Sequence, residues 1–297
     1  MTDPGQAATP SPQRSTPPVT AVDCHAHVMR RDLPLAPDRH SSPKCDIDVD
    51  EFIAVLDRHG ISHGVLTAPS FYGTDNHLLL QSLARYPDRL RGTAIVSPEI
   101  DLESLTAMDR KGVVGIRLNW FNRDTLPDVE SDAYRGLFDK IRALDWQVEI
   151  YIEGPKLGAL LPKIRAQGVN VCIDHFGAPD PTLGTDDRGF VEVLRGVGAG
   201  DTYVKVSAPY RLGGADPQRY VDALLDAGGP QQLMWASDWP FISFEDTIDY
   251  PMCVQSIERL VPDDKTRNVI LADTPAKLFR FGPAHVEQQY PRKRNAN

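Results

Sequence analysis

His25 and His27 stand two residues apart in VDCHAHV, His175 closes CIDH, and Asp238 lies inside WASDWP. Alternate residues of an extended chain share a face, so the imidazoles of His25 and His27 can point at one centre. A carboxylate beside that centre can hold and deprotonate a water, and imidazoles can polarise a carbonyl and carry oxyanion charge. The same four side chains are also the nitrogen and oxygen donors of a mononuclear zinc site. Each alone reads equally well as a hydrogen-bonded structural residue. Together, in a chain with 8 histidines, they read as a site. His40, His59, His63, His77 and His285 read as solvated or structural.

The elements that must gather these residues are short β-branched or apolar runs alternating with longer stretches of helical period. Eight strands are predicted, at 22–28, 63–69, 91–96, 115–120, 147–153, 170–175, 203–208 and 233–239. Helical patterns such as EFIAVLDRHG, NHLLLQSLARYP, DAYRGLFDKIRAL, KLGALLPKIRAQG and RYVDALLDAGG lie between them, several ending at Gly or Pro. Eight strand-helix units predict an α/β fold, a single TIM-type (β/α)8 barrel, whose chemistry sits at the C-terminal ends of its strands. The four residues stand there. An open doubly wound sheet is the alternative, but no GxGxxG follows the first strand and no GxxxxGK[ST] occurs.

With 297 residues, 41% hydrophobic and 25% charged, the chain can bury one large core. The barrel is expected over 21–282, after a proline-rich tail at 1–20 and before a polar tail at 283–297. A net charge of −9 with scattered basic residues argues against a nucleic-acid partner. No apolar run is long enough to cross a membrane. Cys24, Cys45, Cys172 and Cys253 are too dispersed for a disulfide framework or a CxxC zinc site, which suits the cytoplasm. No helical face carries a stripe that would fix an oligomeric state.

VDCHAHV and WASDWP, taken with LAPDR, GTDN, GIRLNWFNR, IYIE, DHFGAPD and SAPYR, resemble the amidohydrolase superfamily, and within it the lactone-hydrolase branch of the 2-pyrone-4,6-dicarboxylate lactonases. The resemblance runs along almost the whole barrel. It implies a carboxylic ester hydrolase of aromatic-compound catabolism, in which Asp238 activates the water and His25, His27 and His175 polarise the lactone carbonyl. It implies that Arg117, Arg123 and Arg211 bind the anionic groups of the substrate, as a guanidinium does bidentately, with Tyr151 and Ser70 as further contacts. Asp75 and Asn76 of GTDN read as turn or cap residues. Trp235 and Trp239 are expected to keep the site dry.

A binuclear amidohydrolase site needs a carboxylated lysine or glutamate on strand four and histidine on strand five, where this chain offers Arg117 and Asn119, then Tyr151 and Glu153. The resemblance implies that no metal is required, with a mononuclear zinc on His25, His27, His175 and Asp238 as the alternative. Two positions depart from the family pattern: Ala178 replaces an arginine, and Ser41 stands for a tyrosine. Losing an arginine leaves one carboxylate of a pyrone dicarboxylate underpaired. The expected substrate is therefore a small anionic lactone of muconolactone, sulfomuconolactone, pyrone carboxylate or aldarate type. A zinc-dependent decarboxylase or hydratase acting on an aromatic or unsaturated acid is the second expectation, and a non-catalytic binding barrel the third.

Overall fold

Eight parallel strands pair in sequence order: β1 (Val22–Ala26), β2 (His63–Thr67), β3 (Leu90–Ala94), β4 (Val113–Asn119), β5 (Gln147–Tyr151), β6 (Asn170–Ile173), β7 (Thr202–Ser207) and β8 (Leu233–Ala236). The computed structural model describes residues 17–37, 39 and 41–282. Most of the expected tails, with His40 and His285, lies outside the described residues. Past the regular ends of β1 and β8 the sheet closes on itself. Ala26 bridges to Trp239, His27 N–H donates to Trp239 O at 2.9 Å, and Asp238 N–H donates to His25 O at 3.0 Å. That closure makes the (β/α)8 barrel.

Each strand is followed by a helix or helical turn. The main ones are α1 (Val49–Arg58), α2 (His77–Arg85), α3 (Leu102–Asp109), α4 (Asp132–Ala143), α5 (Gly154–Arg165), α6 (Arg188–Ala199), α7 (Pro217–Gly228) and α8 (Tyr250–Leu260), with α9 (Asp264–Asn268) and α10 (Thr274–Leu278) closing the chain. Aspartates start six of them: the side chains of Asp48, Asp101, Asp187, Asp216, Asp249 and Asp263 each accept a first-turn backbone N–H, and Asp48 pairs with Glu51 in a capping box. Their apolar faces, including Phe52, Leu83, Phe138, Leu161, Phe190 and Leu224, pack on the outer faces of the strands.

Inside the barrel the layers differ by depth. Val22, Cys24, Val65, Val114, Cys172 and Met234 fill the N-terminal end, where Leu278, Phe279 and Phe281 plug it. Above them the interior turns polar, and there the site begins.

The eight predicted strands are all present, but several stop short of their predicted ends. His27 and Asp238 lie just past β1 and β8, where the barrel closes, and His175 opens the helical turn just past β6. His175 and Asp238 take left-handed backbone, with φ of 48° and 66°, as do Phe176, Ala178, Ala208 and Phe241 at the same rim. A non-glycine residue held there stores about 1–3 kcal/mol of strain and stays only where its surroundings fix it, a pattern common at functional sites.

Candidate functional site

A cavity of about 240 Å³ opens at the C-terminal rim, between the ends of the strands. His27, Ser70, Arg117, Tyr151, His175, Arg211 and Asp238 line it together with Ser41, Asn119, Phe121 and Asn122. The barrel thus gathers every expected site residue except two. His25 sits directly beneath, fully buried, with its Nε2 3.2 Å from His27 Nε2 and 3.8 Å from Asp238 Oδ1. Arg123 is exposed and does not line the cavity. It follows the loop turn at Asn122, and its carbonyl accepts from Lys156. Glu153 is turned to that loop as well, accepting from Asn122 N–H and Lys156. Ala178 does not line the cavity, whereas Ser41 does.

The two tryptophans of WASDWP point the other way. Trp235 donates its indole N–H to Cys253 O in α8, and Trp239 stacks on Phe52 of α1 at 5.4 Å. Both fill the space between barrel and helices, because β8 and its extension alternate inner and outer faces. The side chain that covers the cavity wall instead is Tyr151, stacked on Phe121 at 4.7 Å with rings 6° apart.

Asp238 is gripped on one oxygen. Tyr210 O–H and Arg211 Nε each donate to Oδ2 at 2.8 Å, and Arg211 Nη2 also donates to Ile242 O. Oδ1 is left facing His175 Nε2 at 3.6 Å and His25 Nε2. Burial alone would raise this carboxyl, but Arg211 and the imidazoles of His175, His25 and His27 hold it well below the usual carboxylate range. His27 Nδ1 donates to Thr67 O at 2.7 Å, and His175 Nδ1 pairs with Ser207 Oγ at 2.8 Å. Burial lowers both imidazoles to about 4, helped at His27 by Arg117 and opposed at His175 by Asp238.

Below lies an ionic floor that the sequence motifs did not flag. Lys205 of β7 is fully buried, with Nζ 2.7 Å from Glu149 Oε2 and 2.9 Å from Asp174 Oδ1. Arg117 meets the same two carboxylates, at 3.2 Å to Glu149 Oε1 and 3.0 Å to Asp174 Oδ2, and donates to Ala68 O. Burial opposes the Lys205 ammonium, yet Asp174 and Glu149 raise it above its ordinary value. The available signal was parity: Arg117, Glu149 and Lys205 each stand two residues before an inward or rim residue, Asn119, Tyr151 and Ser207, so each shares its face. Asp23 is a second missed support. It accepts from Ser237 N–H, Ser237 O–H and Tyr250 O–H, tying β1 to the turn that carries Asp238.

His25, His27 and Asp238 offer ligand atoms within 4.8 Å of one another, a spacing open to a metal ion. The charge around them does not fit one. The buried carboxylates Glu149, Asp174 and Asp238 already face Arg117, Lys205 and Arg211 at 2.7–3.2 Å. Burial and Asp174 also push Glu149 up from its ordinary value. A dication would add two uncompensated charges to a buried site.

A parallel barrel with paired rim histidines on β1 and an aspartate after β8 defines a class of hydrolytic barrels. The chain belongs to the amidohydrolase family, whose sequence profile matches residues 22–281. It is 29% identical over 290 residues to the 2-pyrone-4,6-dicarboxylate hydrolase of Comamonas testosteroni, covering 92% of this chain and 94% of that one. A 4-sulfomuconolactone hydrolase of Rhizobium radiobacter is 27% identical over 288 residues, covering 93% and 95%. A solved Pseudomonas putida structure, provisionally named a 2-pyrone-4,6-dicarboxylic acid hydrolase, matches with a TM-score of 0.83 at 36% identity, over 89% of this chain and 99% of its own. Among the described residues no helix is long and apolar enough to cross a membrane.

Proposed function

We propose that this protein opens the ester ring of a small anionic lactone by hydrolysis, with Asp238 as general base and without a metal ion. The observation that carries this reading is the cavity itself: one ionised carboxylate, two neutral imidazoles and two guanidiniums converge on a space of about 240 Å³, the scale of a single small ring. The relatives named above, whose substrates are anionic lactones, support it.

In this reading a water contacts Asp238 Oδ1 and gives it a proton as the water oxygen bonds to the ring carbonyl carbon. The histidine cluster, with Arg117 beside it, polarises the carbonyl as charge develops on its oxygen. The tetrahedral carbon then expels the ring oxygen, which takes the proton from Asp238. The product carries a new carboxylate and a hydroxyl or its keto form, and one proton is released to solvent near neutral pH.

Arg117 and Arg211 supply the anion pocket, with Tyr151 and Ser70 beside it; Arg123 is not among the residues that line the cavity. Each of the two arginines already faces a protein carboxylate, so the pocket suits one strongly anionic group better than two. We therefore rank muconolactone, sulfomuconolactone and aldarate lactones above a pyrone dicarboxylate. Four free cysteines accord with a reducing compartment, and we assign the reaction to the cytoplasm.

The test is acid release by chelator-treated protein from a panel of 2-pyrone-4,6-dicarboxylate, muconolactone, sulfomuconolactone, galactarolactone and glucarolactone. Rapid proton release from one member is the expected result. Silence toward all of them, with and without zinc, overturns the reading, and carbon dioxide release from an aromatic acid would replace it with decarboxylation.

A further inference from the structure

Lys205 is a cation sealed inside the barrel, and one of its contacts goes beyond ion pairing. Its Nζ lies 3.0 Å from His25 Nδ1. An ammonium has three hydrogens and no lone pair, so His25 Nδ1 must accept and the proton of the neutral ring sits on Nε2. The other two histidines are fixed the opposite way. Thr67 O can only accept, so His27 keeps its proton on Nδ1. Ser207 O–H has Lys205 O as an acceptor at 3.3 Å, and with its hydrogen there Ser207 Oγ accepts from His175 Nδ1–H at 2.8 Å. Both rings turn a bare Nε2 toward the cavity. Of the three imidazoles, His25 alone carries its proton on Nε2, and it donates that proton to the bare His27 Nε2 at 3.2 Å, with Asp238 Oδ1 3.8 Å away.

We propose that Lys205 is a positioning residue: by occupying His25 Nδ1 it fixes the His25 Nε2–H tautomer, and that hydrogen, donated to His27 Nε2, holds the His27 ring in place at the cavity wall. His175 Nε2 is then the bare imidazole acceptor left to orient the attacking water. That a water attacks there rests on the hydrolase reading; the tautomers do not. One contact competes. Asp174 Oδ1 lies 3.2 Å from His25 Nδ1, the partner a proton on Nδ1 would choose. Lys205 is closer to both atoms, at 3.0 and 2.9 Å, and its own hydrogen on Nδ1 excludes a second. A lysine serving only as a buried counter-ion for Glu149 and Asp174 would leave His25 free to take the Asp174 tautomer.

The two roles separate in long-range proton–nitrogen correlation spectra of the whole protein labelled with 15N-histidine, where the two neutral tautomers give different patterns. The proposal expects Nε2–H for His25 and Nδ1–H for His27 and His175. Nδ1–H at His25 in the wild-type protein overturns it. In Lys205→Met, His25 is expected to switch to Nδ1–H toward Asp174 and lose its hydrogen bond to His27, and kcat to fall about 100-fold with KM little changed, the scale of a misplaced site group. A folded Lys205→Met protein that keeps its kcat overturns the positioning role. If that variant does not fold, the wild-type spectrum alone decides. A wild-type protein with the expected tautomers that cleaves no lactone sinks the hydrolase reading and leaves the His25 assignment standing.

Discussion

Arg211 binds Asp238 from the side away from the histidines: its Nε lies 2.8 Å from Oδ2, the oxygen that also takes the Tyr210 hydroxyl, while Oδ1 is left to face His175. One oxygen is anchored and the other is free to meet water. Asp238→Asn keeps the shape and removes the base, so kcat should fall by about 1,000-fold or more with an unchanged circular dichroism spectrum. Near wild-type turnover would show that the base lies elsewhere.

The same contact gives Arg211 two tasks that a single variant separates. As an anion clamp alone, Arg211→Met would raise KM and leave the pH profile where it was. As the charge that holds Asp238 ionised against burial, its loss lets the Asp238 carboxyl rise, and the acid limb of kcat/KM should move upward. We expect both changes, read from kcat/KM measured across pH. A KM effect with a fixed profile would confine Arg211 to the substrate.

Arg117 and Arg123 stand six apart in one motif but belong to different environments. Arg117 is 4% exposed and paired with Glu149 and Asp174, so Arg117→Met leaves two buried carboxylates with Lys205 as the cation that remains to them. Breaking such a pair costs about 3–5 kcal/mol, so Tm should drop along with kcat/KM. Arg123→Ala touches an exposed side chain outside the cavity lining and should leave kcat and KM near wild type. A large KM increase in Arg123→Ala would mean that the loop folds over bound substrate.

What the sequence disclosed follows from these environments. His25, His27, His175 and Asp238 were legible because each interrupts an apolar strand run at the end where a barrel keeps its chemistry, and that placement needs only local pattern. The barrel was legible for the same reason. Lys205, Glu149 and Asp174 were not: each looks like a lone charge in TYVKVS, QVEIY or CIDH, and their partnership exists only once β5, β6 and β7 close side by side. Arg123 was read by analogy of motif, and it stands exposed just past Asn122, outside the cavity lining. The tryptophans of WASDWP were read by proximity in sequence, which does not distinguish the two faces of a strand.

Acid sensitivity should reflect His27 and His175. Both are lowered from 6.5 to about 4 by burial, so the unfolded chain binds protons near 6.5 and the folded one only near 4. The unfolded state thus holds more protons between these values, and stability is complete above 6.5 and lost as pH falls toward 4. A shift of this size corresponds to about 3 kcal/mol per histidine. Because the rings stay neutral over the same range, kcat/KM should be flat from neutrality down and turn only near 4. An acid limb near 6.5 would mean that the imidazoles are solvated.

Metal removal tests the charge argument most directly. His25, His27 and Asp238 have the spacing of a ligand set, but Arg117 and Lys205 hold the floor beneath them and Arg211 holds Asp238. Protein stripped with a chelator, with its metal content measured on the same sample, should retain full kcat, and added zinc should not raise it. Zinc entering this site would have to compete with a proton on an imidazole and repel three nearby cations, so it should bind weakly and inhibit where it binds. Activity that vanishes on chelation and returns in proportion to bound zinc would show that the cations rearrange around the metal, and Lys205 would be the first residue to move.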